Sequence, residues 1–244
     1  MVEQHPSPAI AIESLHFSWP GGASAFAFTI VQFALSRGES VVLVGPSGGG
    51  KSTLLGLVTG VLKPLSGALQ VLDADLASLA STRRDAFRAQ HMGIIFQQFN
   101  LLPYLSVVDN VLLPLRFSKD RARKAGKDAQ AQRATALQLL ADLGLDTADV
   151  LERRAANMSV GQQQRIAAAR AFLGEPELII ADEPTSALDE GHQQAFLDQL
   201  FEQQKRTGAA LLMVSHDSRV AARFDRVVAL EDLLTANTKE GYAA

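Results

Sequence analysis

Residues Gly45, Pro46, Ser47, Gly48, Gly49, Gly50, Lys51 and Ser52 fit the pattern G-x-x-x-x-G-K-[ST], with Thr53 next, and no other stretch restricts the possible folds so tightly. The pattern requires a buried strand before it and a helix opening inside it, and both are expected here. Residues 41–44 form an unbroken apolar run. After Ser52, apolar side chains recur at Leu54, Leu55, Leu57, Val58, Val61 and Leu62, the spacing of a buried helix face. The four glycines let the backbone wrap tightly and turn its N–H groups inward onto phosphates. Lys51 adds a point charge toward β- and γ-phosphates, Ser52 offers a hydroxyl to Mg²⁺, and the helix N-terminus adds partial positive charge. A nucleoside triphosphate is the ligand this combination suits.

Two further apolar runs end in residues that carry chemistry. Residues 178–181 lead into Asp182-Glu183, and 209–214 lead into Ser215-His216. An acidic pair at a strand end is usually a solvated turn or a helix cap, and a lone histidine there is usually structural. Beside a phosphate loop the expectation changes, because parallel sheets bind ligands beyond the carboxyl ends of their strands. Asp182 is then expected to hold Mg²⁺ through water, Glu183 to orient or deprotonate the attacking water, and His216 to contact the γ-phosphate.

Short apolar runs without alternation, at 41–44, 178–181, 209–214 and 227–230, read as strands covered on both faces; helical patterns between them give an α/β fold with a mainly parallel sheet. Residues 99–172 read instead as a mainly helical insertion, with periodicity at Ala136, Leu137, Leu139, Leu140 and Leu143. Its charged run contains Arg121, Arg123, Lys124 and Lys127, which could touch phosphate or lipid headgroups; a solvated helix end or linker is the reading preferred. A net charge of -3 offers no basic field for nucleic acid, so no nucleic-acid partner is expected. With no cysteine in the chain, disulfides and thiolate metal sites are excluded. The opening MVEQHPSPAI has no basic stretch before an apolar one, and every apolar run falls far short of the roughly 20 residues that cross a bilayer, so neither a signal peptide nor a membrane span is expected.

Taken together, these motifs resemble the ABC ATPase cassettes along nearly the whole chain. Gln97, in Gly-Ile-Ile-Phe-Gln, looks like the glutamine of the loop linking core to helical subdomain; the resemblance gives it a place beside the metal and the attacking water. Met158-Ser159-Val160-Gly161-Gln162 resembles the family signature, usually LSGGQ, and Ser186-Ala187-Leu188-Asp189 resembles the loop that crosses between two cassettes. His216 matches the switch histidine, and Trp19 falls where the family stacks an aromatic residue on adenine. Ser159-x-x-Gln162 also has the form of a capping box opening a helix, whose N-terminus can bind an anion. In the family that element completes the ATP site of the opposite subunit, so Ser159, Gly161, Gln162 and Asp189 would act on a nucleotide held mainly by a second, identical copy. Val160 stands where the signature has its first glycine; if that position needed a positive φ or close approach to the γ-phosphate, valine would be strained or would hold the dimer apart.

The resemblance implies one cassette domain over 1–244, with a P-loop NTPase core at 1–98 and 173–244, an N-terminal antiparallel β portion, and a helical subdomain at about 99–172. It implies ATP and Mg²⁺ as cofactors and a homodimer on the cytoplasmic face of the membrane. Contact with that membrane would come only through a separate integral-membrane permease. The stretch from Gly93 through Gln97 to Val111 looks like the lipoprotein-release and macrolide-efflux cassettes, which points to export or extrusion, although amino-acid importer cassettes share much of it. Phe99, Leu101, Leu102, Pro103, Tyr104 and Leu105 follow Gln97 directly, and Tyr104 or Leu105 is expected to meet the permease. Cassettes that act on DNA or ribosomes usually carry two cassettes in one chain, a coiled-coil insertion or basic arms, and none is visible. A P-loop kinase would lack the signature.

Overall fold

The apolar runs at 41–44, 178–181 and 209–214 become strands whose alternate side chains enter two different cores. The run at 227–230, expected to be covered on both faces, gives instead an edge strand with Val227 exposed. The computed structural model describes residues 7–20, 26–145 and 148–235. The chain opens with β1 (Ile10–Ser18), β2 (Ala27–Leu35), β3 (Ser40–Val44) and α1 (Lys51–Val58). Next come β4 (Ser66–Val71), β5 (Ala74–Asp75), α2 (Ser81–His91) and β6 (Met92–Ile95). Five helices follow: α3 (Val107–Leu112), α4 (Lys119–Ala125), α5 (Ala129–Asp142), α6 (Ala148–Leu151) and α7 (Val160–Phe172). The chain then returns through β7 (Leu178–Asp182), α8 (Glu190–Thr207), β8 (Ala210–Ser215), β9 (Arg226–Ala229), α9 (Leu230–Leu233) and β10 (Leu234–Thr235).

One sheet has the order β6-β7-β8-β3-β9, every pairing parallel. The other, β10-β2-β1-β4-β5, is antiparallel throughout. The antiparallel sheet is therefore not wholly N-terminal, since β10 closes its edge beside β2. In the parallel sheet Val41, Leu43, Leu178, Ile180, Leu212 and Val214 face α1 and the antiparallel sheet. Val42, Ile179, Ala181, Leu211 and Met213 face α3, α5, α7 and α8. This two-sided burial is why the runs show no alternation. Among the described residues, no helix is long and apolar enough to cross a membrane.

Local signals set the helix boundaries. Ser106, Ser118, Asp128, Ser159 and Asp189 each cap a helix by accepting from a backbone N–H three residues on. The periodicity expected near 136–143 appears in α5, where Ala136, Leu139 and Leu140 are buried with Leu143 just beyond. The expected face after Ser52 holds only as far as Val58: the helix ends there, and Val61 is exposed.

The charged run departs most from expectation. Arg123, Lys124 and Lys127 are exposed, but Arg121 is 3% exposed. Its guanidinium donates to the carbonyls of Leu173 (2.8 Å), Ala171 (2.8 Å) and Met92 (3.0 Å). It therefore caps the C-terminus of α7 and binds that helix to the start of β6. The contact is close because Gly93 has no side chain: a Cβ there would collide with the Ala171 carbonyl. Burial lowers the Arg121 pKa to about 10, with Glu177 opposing, so it remains a cation at neutral pH. Arg121→Met should destabilise the fold by about 2–4 kcal/mol, because several buried carbonyls lose their donors at once. Arg123→Ala should stay within about 0.5 kcal/mol. Urea unfolding measures both, and equal stabilities would contradict this role for Arg121.

Candidate active site

Four neighbouring parallel strands, β6, β7, β8 and β3, bring the sequence motifs to one edge of the sheet. Gln97 lies two residues beyond β6, Asp182 ends β7 with Glu183 next, His216 follows β8, and the Gly45–Ser52 loop follows β3. Lys51 is buried, and its Nζ donates to the carbonyls of Gly45 (2.9 Å) and Pro46 (3.1 Å). The same ammonium lies 3.1 Å from Oε1 of Glu183. The other Glu183 oxygen, Oε2, is 3.0 Å from Nδ1 of His216. Beside this chain of contacts, the Ser52 hydroxyl donates to Oδ2 of Asp182 at 3.3 Å. Burial pushes the Asp182 carboxyl above the ordinary aspartate range and the Glu183 charge adds to the rise, while the Ser52 hydrogen bond and Lys51 oppose it.

Glu183 adopts a left-handed backbone with φ 43°, a conformation that costs a non-glycine residue roughly 1–2 kcal/mol. Its N–H donates to Val214 O at 3.0 Å, and its carbonyl accepts from Ser186 N at 3.2 Å. Both bonds hold the carboxylate turned toward Lys51. Strain of this kind concentrates at functional sites.

Trp19, Ser47, Gly48, Gly50, Lys51, Ser52, Thr53, Gln97 and Glu183 line one cavity, together with a residue the sequence reading missed, Phe26. Trp19 and Phe26 are both partly exposed and are joined by a backbone bond from Trp19 N to Phe26 O of 3.1 Å. Trp19 meets Phe17 edge-on with ring centroids 5.5 Å apart, and Phe26 meets Phe28 at 5.8 Å. Gly50 is required twice over: its φ is 99°, and a Cβ there would lie 2.8 Å from the Phe26 ring. The sequence sign of Phe26 was an aromatic residue seven positions after Trp19.

The remaining expected residues do not line this cavity. Ser159 and Gln162 form a complete capping box: Ser159 Oγ accepts from Gln162 N at 3.3 Å, and Gln162 Oε1 accepts from Ser159 N at 2.9 Å. Gly161 abuts Leu188 of the Ser186–Asp189 loop, and Asp189 is exposed and caps α8 through His192 N. Val160 is the first residue of α7 with an ordinary negative φ, 47% exposed, so the strain that a positive φ would have imposed does not arise.

The family model described as ABC transporter matches residues 28–186. The chain belongs to the ABC transporter family. This cassette is 36% identical over 226 residues to the lipoprotein-releasing system ATP-binding protein LolD of Novosphingobium aromaticivorans, covering 92% of the chain and 97% of that protein. It is 38% identical over 224 residues to the macrolide export ATP-binding/permease protein MacB of Rhodopseudomonas palustris, covering 91% of the chain but only 33% of that longer protein. Among solved structures, the dimeric cassette MJ0796 in a post-hydrolysis state, bound to ADP and phosphate, aligns with TM-score 0.79 and 30% identity over 89% of this chain and 92% of that one. The cassette is thus an ATP-binding ATPase of the branch that contains these relatives.

Trp19→Ala should weaken ATP binding by about 1–3 kcal/mol, the scale of base–aromatic stacking, while Trp19→Tyr should be nearly neutral. Phe26→Ala should weaken it as well, by less than the Trp19 change. Because the chain has a single tryptophan, its fluorescence should respond to ATP. An unresponsive signal with unchanged affinity in the alanine variants would remove both rings from the base site.

Proposed function

We propose that the chain is the ATP-hydrolysing motor subunit of a transporter whose membrane-spanning part is a separate polypeptide, at the cytoplasmic face of the membrane. Two copies would close over two ATP molecules. The observation that carries this reading is the division of the motifs: Lys51, Ser52, Gln97 and Glu183 line the cavity and Asp182 and His216 are hydrogen-bonded to Ser52 and Glu183, while Ser159 and Gly161 lie outside this group. A second copy must then bring a signature element to the first copy's nucleotide.

In this reading the Gly45–Ser52 loop turns its N–H groups onto the phosphates of ATP, and Lys51 leaves Glu183 for the β/γ-phosphates. Freed from the ammonium, Glu183 accepts a proton from water, whose oxygen bonds to the γ-phosphorus as the β–γ bridging bond breaks, leaving ADP and phosphate. His216 orients Glu183 and meets the γ-phosphate, and Gln97 helps place the water. Ser52 and Asp182 supply the hard oxygen donors that suit Mg²⁺, which when bound neutralises phosphate charge. Trp19 and Phe26 hold the base. The division into a core at 1–98 and 173–244 and a helical subdomain at 99–172 belongs to the same reading, supported by α3 to α7 all lying between β6 and β7.

For the permease contact, Phe99 is buried and Leu101, Leu102 and Leu105 are half-buried, which leaves Pro103 and Tyr104 exposed, with Tyr104, 66% exposed, the larger side chain free to reach a partner. Likeness to the lipoprotein-release and macrolide-export proteins favours export or extrusion of a substrate from the membrane's outer side. Glu183→Gln should lower hydrolysis by about 10²–10⁴-fold while MgATP binding persists, and ATP should then trap a dimer in sedimentation. Wild-type turnover in that variant would exclude Glu183 as the base, and a protein that stays monomeric with ATP would exclude the two-copy site. Tyr104→Asp should lose permease co-purification while its isolated ATPase is kept; undiminished complex would clear this surface.

A further inference from the structure

Two buried polar side chains leave α7 for the loops that flank the cavity. Gln164 is completely buried, and its Nε2 donates at 2.6 Å to the carbonyl of Pro184, the residue after Glu183. Its Oε1 is buried with no partner among the described residues, a costly arrangement that packing alone does not require. Six residues further along the helix, Arg170 is 9% exposed. Its Nη1 donates to Asn100 O at 2.7 Å and its Nη2 to Phe99 O at 2.6 Å. These carbonyls lie two and three residues past Gln97, and both residues are non-glycines in the left-handed region, with φ 59° and 48°. No carboxylate pairs with Arg170 among the described residues; burial lowers its pKa to about 10, which leaves it charged at neutral pH. A buried cation satisfied only by carbonyls is expensive, and its planar fork is what lets it hold two successive carbonyls of a strained turn.

We infer that Arg170 and Gln164 are positioning residues, locking the signature helix to both catalytic loops of its own subunit. The inference rests on the two-copy reading above. A nucleotide of the second copy that engages Ser159 pushes on the N-terminus of α7; Arg170 passes the displacement to the Gln97 loop, and Gln164 passes it to the strained Glu183 turn. The backbone supports the same linkage near the signature. Ala155 N donates to Leu105 O (2.9 Å), Ala156 N to Pro103 O (3.2 Å) and Val107 N to Arg153 O (3.0 Å). The segment leaving the Gln97 loop is thereby fastened to the segment entering α7. Asn110, fully buried, holds Leu102 through both its N–H and its carbonyl. Between Gln97 and this fastened segment, only the left-handed turn remains to move, and Arg170 grips it.

The test is made in the Glu183→Gln protein, with radiolabelled ATP binding by the dilute monomer, ATP-driven dimerisation by sedimentation, and the thermal unfolding midpoint. Arg170→Met should leave monomer ATP affinity within about two-fold and raise the dimer dissociation constant at least ten-fold. Arg170→Lys, which keeps the charge and loses the fork, should fall between, and Gln164→Leu should weaken dimerisation in the same direction. Unchanged dimerisation in Arg170→Lys and Gln164→Leu overturns the inference. So does a fall in ATP affinity and unfolding midpoint that tracks the loss of dimer, which would mark both side chains as structural only. Should Arg170→Met fail to fold, the lysine and leucine variants decide the matter by the same criteria. If the Glu183→Gln parent does not dimerise with ATP, the two-copy reading has failed and takes this inference with it.

Discussion

The buried ammonium of Lys51 is the charge around which the rest of the structure is arranged. Its three partners are the carbonyls of Gly45 and Pro46 and the Glu183 carboxylate, so the phosphate loop folds onto its own lysine. A nearby anion stabilises a buried cation, and the carboxylate in contact with Lys51 is that of Glu183, the residue proposed as base. The pair therefore neutralises the lysine and engages the base with one contact. In the proposed mechanism ATP offers Lys51 a stronger anion in the phosphates, and the release of Glu183 would follow from that exchange. Binding and activation would then be one electrostatic event.

Geometry makes the exchange possible. The parallel sheet brings Lys51, Asp182, Glu183 and His216 together at the carboxyl ends of three adjacent strands, β3, β7 and β8, so residues far apart in sequence meet at one edge. The strained backbone of Glu183 aims its carboxylate there, held by Val214 and Ser186. Behind that edge, α7 connects the distant elements. Arg121 secures its C-terminus to β6, Gln164 reaches Pro184, and Arg170 reaches the turn after Gln97. A helix anchored on three sides moves as a body, which would suit an element that answers a second copy in the proposed dimer.

Much of this was legible in the sequence because the signals are local. A strand buried on both faces reads as an apolar run, a phosphate loop reads as glycines before Lys-Ser, and the capping box at Ser159 and Gln162 is a matter of three-residue spacing. What escaped depends on contacts between distant segments. Arg121 shares its run with exposed Arg123, Lys124 and Lys127, and only the packing of α4 against the end of α7 separates it from them. Phe26 enters the cavity because β1 and β2 pair antiparallel and bring it beside Trp19. Val160 departs from the signature, yet as the first residue of α7 it has an ordinary negative φ, which valine adopts without strain. Val61 kept the helical spacing, but α1 ends first at Val58.

The most direct measurement is a structure of the chain bound to a non-hydrolysable ATP analogue with Mg²⁺. Lys51 Nζ should have left Glu183 for the β/γ-phosphates, and Ser159 of a second copy should lie at hydrogen-bond distance from the γ-phosphate. A nucleotide seated in the Gly45–Ser52 loop while Lys51 and Glu183 remain paired, with no second copy over it, would contradict the account.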